Sequence, residues 1–294
     1  MGAHVMAVDI SRRHALGWIL ASGAQCLLSH ARADEPREAE QRKSPALYRL
    51  HFTLSKNDLI GDILHGPRGE AHRQSELSHH AWYTRETERR FGSWGPRPQH
   101  YAPLEGIDDR PLAWQRERVI AVAERFIGYG YQHHHIPDWD PPVHWPWKHT
   151  CVGHNGRGVD CSNFTSFVYN QGFGIHMNSE VVRQSKLHAA EEGKELTDVR
   201  RIELPDSYEA RRRVLQTGDL VYICGRVDGP ITHVILWVGS IGRSPSGAPL
   251  IIDSHGGGVE DDEGRAIPCG IHLRPFREDS WYNRCASHAH RVFG

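Results

Sequence analysis

The sequence predicts an α+β fold in which an N-terminal helix carrying a cysteine packs on an antiparallel sheet carrying a histidine. Three observations point to it. Asp160-Cys161-Ser162 opens a run in which Phe164, Phe167 and Val168 recur at helical spacing, with Asn170-Gln171-Gly172 as a stop. Gly218-Asp219 and Thr232-His233 each lead into an apolar run of strand length. A third run, Leu250-Ile251-Ile252-Asp253-Ser254-His255, follows a turn rich in Gly, Ser and Pro, so the three strands are expected to be consecutive and antiparallel.

The remaining elements follow in chain order. Residues 34–112 are polar, rich in Arg, Glu and His, and broken by Gly66-Pro67, Gly95-Pro96 and Pro103; within them only Leu47 to Leu54 reads as a strand. Val119, Ile120, Ala123, Phe126 and Ile127 share one face of a helix that runs into Gly130-Tyr131. The long loop from His133 to Trp147 carries prolines and tryptophans, which predicts an ordered cover rather than a flexible link. Helices are expected at Glu180 to Glu192 and at Tyr208 to Leu215.

Chemistry is suggested by the order of residues. Unpaired backbone N–H groups and the positive end of the dipole at a helix start favour a thiolate over a thiol, which is what a nucleophilic Cys161 requires. A thiolate needs a base in reach, and the base needs a partner to fix its ring. His233 at the head of a strand supplies the base. Asp253 and His255 lie on one face of the next strand, so alternation alone does not choose between them as the orienting group. The competing reading of Cys161 alone is a buried structural cysteine.

With these motifs in this order the chain resembles the NlpC-type cell-wall peptidases, bacterial cysteine hydrolases with a papain-like core. The resemblance rests on Asp160-Cys161-Ser162, Gly218-Asp219-Leu220 and His233-Val234, and spans residues 113–294. It implies Cys161 as nucleophile, His233 as general base and acid, and Asp253 in preference to His255 as the third member. It also implies Tyr131 and Asp160 as groups that grip a stem peptide, with Ser162 and the Cys161 backbone N–H beside the reacting carbonyl. The implied substrate is peptidoglycan or a murein-derived peptide, cut at a γ-D-glutamyl to diamino acid amide, with no cofactor and no metal. An amidase or acyltransferase on another amide or ester, or a wall-binding domain without activity, would share the fold. The His133 to Trp147 loop departs from the short glycine-rich link expected in the family.

A zinc-binding hydrolase is the rival class, because His133, His134, His135, Asp138, Asp140, His144, His149, Cys151 and His154 all carry zinc-ligating side chains. Against it, adjacent histidines on an extended chain point different ways and no His-Glu-x-x-His helix is present.

Residues 1–33 have the arrangement of a bacterial export signal: Arg12-Arg13, a moderately apolar stretch, then Ala31-Arg32-Ala33. The expected location is therefore periplasmic or secreted, with no stable membrane insertion because the apolar run is short and contains Gln25. A formal net charge of -1 leaves no basic excess for nucleic acid. Beyond Cys26 the cysteines are Cys151, Cys161, Cys224, Cys269 and Cys285; with Cys161 free, Cys269 with Cys285 is the first expected disulfide.

Overall fold

The structure, a computed structural model, describes residues 48–146, 156–186 and 199–294. The expected export segment lies outside these residues, as do His149, Cys151 and His154.

Helices α1 (Lys56–Leu64), α2 (Arg85–Phe91), α3 (Leu112–Glu124) and α4 (Cys161–Phe173) precede a short helix α5 (Val181–Gln184). Strand β1 (Arg200–Glu203) and helix α6 (Tyr208–Val214) lead into β2 (Leu220–Cys224), β3 (Ile231–Trp237) and β4 (Leu250–His255). After the small ribbon of β5 (Val259–Glu260) and β6 (Ala266–Ile267) come β7 (Gly270–Pro275), helix α7 (Trp281–Arg284) and β8 (Ala286–Arg291). The main sheet is antiparallel throughout, in the order β1-β8-β2-β3-β4-β7. The expected α+β class and the three consecutive antiparallel strands are thus both present.

Strands β2, β3 and β4 are buried almost end to end because the sheet is covered on both faces. Leu220, Tyr222, Val234, Leu236, Leu250 and Ile252 face a core shared with α3 and α4. The alternate residues Val221, Ile223, Ile235, Trp237 and Ile251 face a second core with Leu215, Phe276 and Tyr282. Asp219 of the Gly-Asp-Leu motif is structural: its carboxylate accepts from Arg291 Nε at 2.9 Å and Nη2 at 2.7 Å, tying β8 to the start of β2.

Helix α4 is buried along its whole length, including its polar residues. Those polar groups hold the chain that precedes α3. Asn170 accepts from Tyr101 N–H at 3.1 Å and donates to the Gln99 carbonyl at 2.7 Å, and Gln171 donates to the Arg68 carbonyl at 3.1 Å. Arg118 of α3 makes two bonds of 2.7 Å to Asp62 of α1, whose Leu59, Ile60 and Ile63 enter the first core.

Three expectations are corrected. The stretch expected as a strand from Leu47 to Leu54 contributes one bridge among its described residues, Leu50 to Gly242, with His51 N–H donating to Ile241; the Thr53 N–H goes to the Glu117 carboxylate rather than to a strand partner. The helix expected from Glu180 to Glu192 spans Val181–Gln184, with 187–198 outside the described residues. The pairing of Cys269 with Cys285 does not exist: Cys269 is disulfide-bonded while Cys285 is free, as are Cys161 and Cys224. Cys285 instead sits in the second core beside Cys224, whose N–H donates to the Cys285 carbonyl at 2.8 Å.

Candidate active site

The segment entering α4 is fixed from three sides. Gly158 bridges Gly130 so closely that a Cβ there would stand 2.1 Å from the Gly130 carbonyl oxygen. Val159 N–H donates to the Gly130 carbonyl at 3.2 Å, and the Val159 carbonyl accepts from Ser254 Oγ of β4 at 2.5 Å. Tyr129, one residue earlier, accepts from Ile271 N–H of β7 at 2.8 Å. The backbone leading to Cys161 is therefore registered against both β4 and β7.

Cys161 is the first residue of α4, and Asp160 is its N-cap. One Asp160 oxygen accepts from Asn163 N–H at 2.9 Å and the other from Asn163 Nδ2 at 2.8 Å, with His133 Nδ1 at 3.4 Å. The Ser162 hydroxyl donates to the Ser179 carbonyl at 2.7 Å and to Asp160 at a longer 3.3 Å. Cys161 is buried, with 5% of its surface exposed.

His233 lies between the thiol and a carboxylate. Its Nε2 is 2.6 Å from Asp253 Oδ2, which leaves Nδ1 as the ring nitrogen for the hydrogen bond with Cys161. Pairing of β3 with β4 covers Leu236 and Trp237, so His233 lies beyond that stretch, while on its other side it pairs with Ile223 of β2. Burial works against a charged ring, but the charge of a Cys161 thiolate and the bond to Asp253 outweigh it and raise His233 to about 9. For Asp253 burial acts in the opposite sense; the Arg274 guanidinium and His233 overcome it and hold the carboxyl well below the usual carboxylate range.

His255 occupies a different position. Its ring stands edge-on to His233 with centroids 5.2 Å apart, and its Nδ1 accepts from Gly257 N–H at 3.0 Å. Burial, then the neighbouring positive charge of His233, lower it to about 4, so it is neutral at neutral pH. The structure thus brings Cys161, His233 and Asp253 together and sets His255 beside His233.

Tyr131 closes another side. Burial, then the charges of Cys161 and Asp160, push its phenol well above the ordinary range, and its ring meets His133 at 5.6 Å. In the long loop, His134 is fully buried against Trp139, and His135 Nδ1 lies 3.0 Å from Asn163 Oδ1. Trp139 and Trp145 pack edge to face at 4.7 Å, so the described part of the loop is ordered by aromatic packing. Among the described residues no three His, Cys, Asp or Glu side chains converge as a metal site.

Sequence reasoning missed Arg274 and Tyr282, both bonded to Asp253. In β7, Ile271 and Leu273 alternate with His272 and Arg274, a pattern that reads as one face in water. The sheet is covered on both faces, so Arg274 is fully enclosed while His272 is half-buried. A cationic residue within a strand two residues before a core phenylalanine was the available signal.

An α+β domain in which a thiol at a helix start, an imidazole and a carboxylate come together is the class that fold and site define. Residues 146–287 match the model of the NlpC/P60 family, and this segment belongs to that family. Among solved structures, an NlpC/P60 family protein from Bacillus cereus is 20% identical with a TM-score of 0.35, covering 61% of this chain and 40% of its own. The NlpC/p60 domain of the peptidoglycan hydrolase SagA is 20% identical with a TM-score of 0.31, covering 59% of this chain and 96% of its own. No curated protein matches this chain.

Proposed function

We propose that this protein is a cysteine hydrolase that cleaves an amide bond in peptidoglycan stem peptides, of the γ-D-glutamyl to diamino acid type. The observation that carries the reading is His233 held between Cys161 and Asp253, with Cys161 at the start of α4. Membership of residues 146–287 in the NlpC/P60 family supports it.

In this mechanism the Cys161 proton already rests on His233, and the thiolate Sγ attacks the amide carbonyl carbon. The first backbone N–H of α4 receives the developing oxyanion. His233 then delivers the proton to the departing amine, leaving a thioester. Water, deprotonated by His233, attacks the thioester carbon and restores the thiol. Asp253 fixes the ring and stabilises its protonated form. Tyr131 and Asp160 border the substrate groove on the acyl side. The Ser162 hydroxyl is committed to Ser179, so Ser162 serves through its backbone.

The same reading has residues 1–33 as an export signal, 34–112 as a segment that precedes the catalytic domain, and 113–294 as that domain, acting in the periplasm or outside the cell. Among the described residues no helix is long and apolar enough to cross a membrane. The test is incubation of the protein with purified sacculi and mass analysis of released fragments: new termini at the diamino acid amine support the proposal, and cleavage elsewhere or none rejects it.

A further inference from the structure

Asp253 is fully buried, and every donor that reaches its carboxylate is itself buried. Arg274 Nη1 donates to Oδ1 at 2.6 Å, Tyr282 Oη donates to Oδ2 at 2.9 Å, and His233 Nε2 shares Oδ2 at 2.6 Å. Arg274 is anchored from behind, since its Nη2 donates to the Pro268 carbonyl at 3.0 Å and the Gly270 carbonyl at 3.1 Å. The guanidinium thus spans from the turn before β7 to the carboxylate on β4, a reach and fork that a lysine ammonium lacks.

We infer that Arg274 and Tyr282 are positioning residues for the reaction, a buried clamp that keeps Asp253 ionised and aimed at His233 Nε2. A carboxylate removed from water and left without a cation takes up a proton. A protonated Asp253 would no longer favour imidazolium at His233, and the thiolate at Cys161 would lose the charge that accompanies it. The groups that face Asp253 are His233 from β3, Arg274 and the opposing His272 from β7, Tyr282 from α7 and His255 from its own strand. His255 is neutral at neutral pH, since burial and His233 lower it to about 4. Arg274 therefore supplies the guanidinium that faces the Asp253 charge. The inference rests on the proposed alignment of Cys161, His233 and Asp253, but its test needs no wall substrate.

The experiment is the rate of iodoacetamide alkylation at Cys161 against pH, followed by peptide mapping to separate Cys224 and Cys285, on the full chain and on Arg274→Met and Arg274→Lys. In Arg274→Met the acidic limb of the profile moves up by about one pH unit or more, roughly tenfold slower labelling on that limb. Arg274→Lys returns most of the shift. A folded Arg274→Met chain with the wild-type limb overturns the inference. Should that variant fail to fold, carbon-13 titration of the Asp253 carboxyl in the wild type decides: it stays ionised to about pH 3, whereas titration in the ordinary carboxylate range contradicts the clamp. A limb shift in a protein that releases nothing from sacculi would reject the substrate reading alone.

Discussion

The Nε2 atom of His233 lies 2.6 Å from Asp253 Oδ2, whereas His255, two residues further along the same strand, meets His233 only ring to ring at 5.2 Å. On the proposed mechanism position 253 supplies both the tautomer bias and the charge. Asp253→Ala is expected to lower kcat/KM by about 10²- to 10⁴-fold, while His255→Ala stays within about tenfold of wild type. Steady-state rates on a defined stem peptide check both, and the reverse ranking would assign the role to His255.

The pH profile should show the same relationship. With His233 raised to about 9, the imidazolium proposed to protonate the leaving amine persists through neutral pH and is lost as pH climbs through that value. The rate should accordingly fall above about pH 9. Removing the Asp253 charge should move this basic limb downward, because a nearby carboxylate favours the protonated ring. An unmoved limb in Asp253→Asn would separate the two groups.

How much of this was legible beforehand differs by element. The Cys161 helix, the strands at Leu220, Ile231 and Leu250, and the order thiol, imidazole, carboxylate could be read because apolar period and turn residues agree there. Asp253 and His255 share strand parity, and only the ring orientation of His233 separates them. Arg274 was hidden because a polar alternation looks alike whether the second face meets water or another core. The segment from Leu47 to Leu54 has strand composition, but in its described part Leu50 and His51 meet neighbouring backbone while the Thr53 N–H is taken by the Glu117 carboxylate. Cys269 with Cys285 failed because sequence spacing carries no information on which thiols the folded chain brings together.

His255 should make the protein acid-sensitive. Its value in the fold, about 4, lies below the ordinary 6.5, so the unfolded chain binds a proton in this window that the folded chain does not. Stability is then full above the ordinary value and declines as pH falls toward about 4. His233 is shifted the other way and contributes no slope there, since it is protonated in both states below 6.5. Thermal melts of wild type and His255→Gln across this window should show a shallower decline in the variant; parallel declines would count against the assignment.

Gly158 should tolerate no side chain. A Cβ would stand 2.1 Å from the Gly130 carbonyl oxygen, a backbone atom that Val159 and β7 hold in register. Gly158→Ala is expected to lose about 2 kcal/mol or more of stability, with kcat reduced because the same contact sets the start of α4. Urea unfolding measures the first effect, and a wild-type midpoint would show that the bridge yields.

The central claim is that Cys161 is the nucleophile, and the most direct measurement is digestion of purified sacculi by wild type and by Cys161→Ala at equal concentration, with and without a chelator. Wild type should release the same peptide fragments whether or not chelator is present, and Cys161→Ala, folded by circular dichroism, should release none. Fragments released by Cys161→Ala, or activity that chelator removes and added zinc restores, would contradict the account.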